Sequence, residues 1–402
     1  MLKERFYKNK IIYFFFVSIL FLGFPFISIL FQIFFILISN SRNKYFFYII
    51  IFFISTYLGL INITKVPEVD LKNYYDWFQL AGNLSLKEFV LFNQKGPIFN
   101  LLTYFLFYLF RGNNNLYIFT LTFFTYFLLL IAVYKFYKYT NSYGFIIVLA
   151  LVVVGFFPQL FTLSGNIIRQ ILAGSLLFLF IIYRLFYNRN IWILLILSIF
   201  IHLSVLLFIP FIFLNGVIKK FNIKKVILLP AIILFIFLIY KPIISFFVNK
   251  INNPIIDSVF QRLLRYYPSL YNTPALSGII LVILLLIIII YQAYYRNIIN
   301  LELIDKYRHF TMLYIAFCLV FFFTFNITEI SHRIVFYAYY FFPFVFPFLI
   351  IRKNNTFNII LASFLIFCFL VYFIVKIDNS VWTYAPSERI FGDLMLYIFF
   401  NY

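Results

Sequence analysis

The chain is short of the side chains that build most active sites. Its 402 residues include 12 acidic residues, three histidines and two cysteines, and charged residues make up 11% of the total. Soluble domains carry roughly 25%. Cys318 and Cys368 both lie inside apolar runs, which argues against a disulfide or a thiolate metal site. The histidines are scattered, so neither HExxH nor CxxC spacing occurs, and no glycine-rich phosphate loop is present. Solenoid-length repeats and Gly/Ser- or Pro-rich linkers are missing as well. Zinc hydrolases, thiol redox proteins and P-loop enzymes therefore find no support, and no cofactor is implied.

What is present is hydrocarbon. Apolar residues are 65% of the chain and 63 residues are Phe; mean hydropathy is +1.02. The expected fold class is all-α, a polytopic membrane protein of about 11–13 transmembrane helices. Apolar spans fall at about 11–38, 45–63, 116–134, 145–163, 167–186, 191–214, 226–240, 278–295, 310–327, 334–351 and 356–376. Pro210 predicts that 191–214 is bent or a hairpin. Residues 97–110 are too short for a span and read as a re-entrant or interfacial helix. Residues 258–267 and 390–402 also read as interfacial. The whole chain, 1–402, reads as a single integral membrane domain with long loops at 64–97 and 241–277. Spans of this length and number leave no room for a separate soluble catalytic domain.

The net charge of +20 points to topology and anionic lipid rather than nucleic acid. Basic connections at Lys135/Lys138, Arg184/Arg189, Lys219–Lys225, Arg296–Arg308 and Arg352/Lys353 read as cytoplasmic, with the two long loops outside. The basic N-terminus resembles the flank of a signal anchor. It falls on the wrong side unless 11–38 is itself a hairpin bent at Gly23-Phe24-Pro25.

Arg169 is the most informative residue. It stands in an apolar run from Phe145 to Tyr183 with no acidic neighbour in sequence. A guanidinium in hydrocarbon costs roughly 2.5–3.5 kcal/mol on the lenient scale. The Ser164-Gly165-Asn166 turn before it would make a compact anion pocket from backbone donors and the Arg169 guanidinium. The bland reading is a snorkelling arginine.

In the first loop, Asp70 with the Tyr74/Trp77/Phe78 face, and Tyr75 beside it, offers a carboxylate and aromatic faces to a sugar. The bland reading makes Asp70 an N-cap and the aromatics interfacial anchors. His202 is a mid-span histidine suited to acid–base work, to hydrogen bonding a pyrophosphate, or simply to structure. Glu329 and Arg333 are spaced for a helical ion pair but gather with His332 at a span boundary. Arg262 and Arg265 lie on one face of an amphipathic stretch, placed to clamp a diphosphate or to sit among lipid headgroups.

An aspartate/tyrosine-rich first loop is followed by Arg169-Gln170-Ile-Leu-Ala173, then His202-Leu203-Ser204, then Arg333-Ile-Val-Phe-Tyr337. This ordered set resembles the EpsG/Wzy-like polysaccharide polymerases of bacterial surface-glycan pathways over roughly residues 45–345. Two positions depart from the family pattern. Pro67-Glu68-Val69-Asp70 stands for the usual Gly-Thr-Asp, and Lys95-Gly96-Pro97 replaces an acid before the re-entrant helix.

The resemblance implies a GT-C-like membrane fold and a glycosyltransferase of the bacterial inner membrane, with its active site facing the periplasm or cell exterior. It would move a growing glycan from undecaprenyl diphosphate onto a hydroxyl of a second lipid-linked repeat unit, in O-antigen, capsule or exopolysaccharide synthesis. Asp70 leads as catalytic residue, with Glu329 and His202 behind it. Arg169, Gln170, Arg333, Arg262, Arg265, Tyr74, Tyr75 and Trp77 would bind substrate, and arginines would replace a divalent ion. Membrane lipids, a chain-length regulator and a flippase are the partners this implies. The competing readings are a lipid-linked oligosaccharide flippase, a GT-C-type polyprenyl-phosphate glycosyltransferase and an O-antigen ligase.

Overall fold

The computed structural model describes residues 10–67, 69–92, 96–209, 282–287, 335–345 and 356–378. Isolated positions at 212, 280, 306–307, 309–311, 313–314, 317–318 and 321 are described too. Every regular element among them is helical, as expected for an all-α membrane protein. The chain divides into two compact units, Met1–Leu206 with Phe346–Tyr402, and Leu207–Val345.

The first unit opens with α1 (Lys10–Gly23) and α2 (Pro25–Ser39). Pro25 cannot donate a backbone hydrogen bond, so the helix breaks at Phe24 and restarts with proline in its first turn. The two helices fold back on each other: Tyr13 packs on Phe35, Phe16 on Phe31, and Ser28 Oγ donates to the Val17 carbonyl at 2.9 Å. Residues 11–38 are thus a hairpin, not one span, and Lys10 and Ser39 lie at the same end.

The spanning helices follow. α3 (Lys44–Ile63), α7 (Asn114–Tyr139), α10 (Ile168–Tyr187) and α13 (Thr356–Asp378) are each long and apolar enough to cross a bilayer. Between α3 and α7 lie α4 (Val69–Leu80), α5 (Leu86–Phe92) and α6 (Pro97–Phe110). The last has the bounds expected of the re-entrant segment. α8 (Gly144–Gly155) and α9 (Pro158–Asn166) form one broken span, bent by 45°. α11 (Trp192–Ile201) stops at His202, whose backbone is extended (φ −151°, ψ 118°), and a 3-10 turn takes over at Leu203–Phe208. The 191–214 stretch is thus interrupted at His202, a residue with no backbone handicap of its own, and Pro210 lies outside the described residues.

Alternating helix directions sort the charges. At one end, Arg42 lies over Tyr143, Lys135 over Tyr183, and Arg184 over Trp192 while donating to Asn190 Oδ1 at 2.8 Å. Gly144 abuts the Ser41 carbonyl, closing this end. The other end gathers the C-terminus of α3, all of α4–α6, the α9–α10 break and the end of α11.

The outer loop has its own small core. Trp77 stacks on Phe89 with centroids 4.5 Å apart, and Ala81, Tyr104 and Phe107 pack around them. Ser85 and Glu88 close a capping box at the start of α5: the Ser85 N–H and hydroxyl donate to Glu88 Oε2 at 2.9 and 2.6 Å, and the Glu88 N–H donates back to Ser85 Oγ. These bonds hold the Glu88 carboxyl below its ordinary pKa.

In the second unit the described part of α12 (Val335–Val345) carries Phe341 and Phe344 against Phe310. Tyr314 donates to the Val282 carbonyl at 3.1 Å.

Candidate functional site

Three elements meet at Arg169. Ile167 ends α9 and begins α10 with φ −107° and ψ 50°, and its side chain supplies no cap. The break is one residue later than the Ser164-Gly165-Asn166 turn expected, since those three residues remain helical. Arg169 is therefore the second residue of α10, at the positive end of a 20-residue helix.

Its guanidinium does not snorkel away from the protein. Nε donates to the Tyr74 hydroxyl at 3.4 Å, and the group lies 5.7 Å from the centre of the Phe99 ring. Phe99 meets Tyr74 edge-on at 6.0 Å. Arg169 is half-buried and Gln170 buried beside it.

Behind Tyr74 the packing is dense. Phe78 stacks on Tyr117 at 4.2 Å, and the Tyr117 hydroxyl shares a 3.2 Å hydrogen bond with Thr103 Oγ1. Burial raises the Tyr75 phenol well above its ordinary pKa, so it stays neutral. Trp77 and Phe78 are 5% and 0% exposed. Their faces are consumed by Phe89 and Tyr117, so the aromatic platform expected to meet a sugar is instead the core of the loop. Asp70 is exposed, in the first turn of α4 rather than at its N-cap, and one helical turn before Tyr74.

A second polar cluster, not anticipated from the sequence, abuts the first. Asn62, fully buried at the end of α3, donates through Nδ2 to Thr122 Oγ1 at 2.9 Å and to Ser164 Oγ at 3.0 Å. Ser164 Oγ itself donates to the Phe161 carbonyl at 2.7 Å, which fixes the orientation of the amide. Lys65, 2% exposed, donates through Nζ to Asn166 Oδ1. The i, i+3 spacing of Asn62 and Lys65 at a span end was the available signal.

His202 sits where α11 stops. Its Nδ1 accepts from the Ser204 backbone N–H at 3.3 Å and lies 2.7 Å from Ser204 Oγ, which leaves the ring proton on Nε2. The start of α6 reaches both regions: Gly96 lies against the Phe200 carbonyl, and Phe99, one turn on, lies under Arg169. Glu329, Arg333, Arg262 and Arg265 lie outside the described residues. Among the described residues no cluster of three or more His, Cys, Asp or Glu stands ready for a metal.

The model of the EpsG family aligns with residues 44–386, well over half the chain. The chain belongs to the EpsG family. EpsG proteins are Wzy-like polysaccharide polymerases, and this EpsG-family chain is accordingly a membrane protein of the glycan-polymerising type. No curated protein and no solved structure matches it.

Proposed function

We propose that this EpsG-family protein polymerises undecaprenyl-diphosphate-linked oligosaccharide units during O-antigen, capsule or exopolysaccharide synthesis. The single observation that carries the reading is Arg169: a cation at a helix start, tied to Tyr74 and laid against Phe99, at the end of the bundle away from Arg42, Lys135 and Arg184. Positive residues mark the cytoplasmic side, so the Arg169 end faces the periplasm or exterior. The N-terminal hairpin supports this, because it returns Lys10 and Arg42 to one side and so satisfies the charge rule that a single 11–38 span would break.

The reaction is a substitution at the anomeric carbon of the growing glycan. The acceptor hydroxyl oxygen forms the new glycosidic bond, the bond to the lipid diphosphate breaks, and the hydroxyl proton passes to a base. Charge grows on the leaving diphosphate, where Arg169 and the backbone N–H groups at the start of α10 stabilise it. Asp70, exposed on the same loop, is the leading base. His202 is better disposed to donate through Nε2 than to accept, which suits a contact to phosphate or hydroxyl. Arginines then do the work of a metal ion, and Arg333, Arg262 and Arg265 are expected to add to Arg169.

The test is a gel of surface glycan from a strain lacking the gene. Loss of the polymer ladder with retention of a single-repeat band supports polymerisation. Absence of any repeat unit outside the membrane would instead indicate a flippase or an earlier glycosyltransferase.

A further inference from the structure

The Lys65 cluster has no place in the reaction just described, and it is costly. An ammonium taken from water into the end of a helical bundle gives up much of its hydration. Bracing alone does not call for it. Asn62 already stitches α3 to α7 and α9 through a neutral amide.

The surroundings are shaped for the charge. Gly165 has no Cβ, and one placed there would stand 3.2 Å from Lys65 Nζ, 3.2 Å from Lys65 Cδ and 3.2 Å from Asn62 Oδ1. The bare backbone lets the lysine lie against α9. Asn62 Oδ1 is fully buried and has no hydrogen-bond partner among the described residues. It lies in the same space as the ammonium, which carries three donors. Asn166, which Lys65 holds, is half-buried and immediately precedes the break at which α10 begins.

We propose that Lys65 is a further cation of the diphosphate site, exchanging Asn166 for a phosphate oxygen when lipid-linked substrate binds, while Asn62 Oδ1 takes up one of its N–H groups. The four-carbon stem of lysine permits that exchange without backbone movement. Lys65 and Arg169 then approach the diphosphate from either side of Ile167, one from the end of α3 and one from the start of α10. This inference rests on the polymerase reading above, since it presumes a lipid diphosphate at Arg169.

The experiment is binding of undecaprenyl diphosphate, and of a neutral polyprenol as control, to the purified full-length protein in nanodiscs. Lys65→Met should weaken diphosphate binding by about tenfold or more, as loss of a charge-assisted phosphate contact does. Lys65→Arg should bind within about threefold of wild type, because it keeps the charge. Asn166→Ala should also bind nearly as wild type, because it merely releases the lysine.

Equal losses in Lys65→Met and Asn166→Ala would make Lys65 a brace and overturn the proposal. So would wild-type binding by Lys65→Met. If Lys65→Met fails to fold, Lys65→Gln replaces it: a loss of about tenfold with binding retained in Asn166→Ala supports the exchange, and wild-type binding by Lys65→Gln overturns it. Failure of the wild-type protein to prefer diphosphate over polyprenol would instead remove the underlying polymerase reading. Loss in Arg169→Ala without loss in Lys65→Met would leave that reading standing and remove only Lys65.

Discussion

Arg169 Nε and the Tyr74 hydroxyl, 95 residues apart, meet at 3.4 Å, and this contact joins the broken span to the outer loop. The bond is long, so its net worth is about 1 kcal/mol or less. Tyr74→Phe should therefore slow glycan polymerisation by less than about tenfold. Arg169→Ala, which removes the charge itself, should abolish it. Rates of ladder formation by the two variants check the order.

Gly96 has φ of +105°, and an added Cβ would stand 2.5 Å from the Phe200 carbonyl oxygen. Gly96→Ala should destabilise the fold by at least about 1–2 kcal/mol from the backbone term alone, and should displace the end of α11 that carries His202. Gly23→Ala is the control, since nothing lies within 4 Å of a Cβ there. Thermal unfolding of both variants in detergent should show a lowered midpoint only for Gly96→Ala.

Asn62→Leu removes two buried hydrogen bonds while conserving volume. Bonds of this kind inside membrane bundles average about 0.6 kcal/mol each, so a loss of roughly 1–2 kcal/mol is expected. Ser164 keeps its bond to the Phe161 carbonyl and should limit the damage. The unfolding midpoint again provides the measurement, with Asn62→Gln as a partial rescue.

The capping box of α5 gives a pH dependence of known sign. The Glu88 carboxyl is held below its ordinary pKa by Ser85, so its contribution is full at neutral pH. That contribution is lost as pH falls through the lowered value. Hydrogen exchange of residues 86–92, corrected for intrinsic rate, should rise on acidification in wild type. Glu88→Ala should show the raised exchange already at neutral pH.

The hairpin of α1 and α2 predicts sidedness. In a background lacking Cys318 and Cys368, Lys10→Cys and Arg42→Cys should both be shielded from an impermeant thiol reagent added outside intact cells. Val66→Cys, exposed at the opposite end, should react. Labelling of Lys10→Cys and Arg42→Cys from opposite sides would show that α1 and α2 cross as one span.

What was legible in the sequence follows the range of the forces involved. The spans α3, α7 and α10 are set by local hydropathy, and the limits of α6 by Gly96-Pro97 and a short apolar run, so each could be read directly. The Gly23-Phe24-Pro25 bend was legible because proline acts on its own helix. A bend within 191–214 was legible too, but not its place at His202, where the Ser204 N–H donates to the His202 side chain; Pro210 lies outside the described residues. Trp77 and Phe78 resembled a sugar platform because nothing nearby in sequence reveals Phe89 and Tyr117 covering them. Nothing near Lys65 in sequence marks it as buried. Its burial depends on Gly165 and Asn166, which lie a hundred residues further on.

The most direct measurement is made with the full-length protein in proteoliposomes, supplied with lipid-linked repeat units from its own host. Wild type should build a ladder and release undecaprenyl diphosphate in step with each added unit, whereas Arg169→Ala, folded and inserted, should do neither. A ladder built by Arg169→Ala at the wild-type rate would contradict the central claim that this arginine stabilises the departing diphosphate.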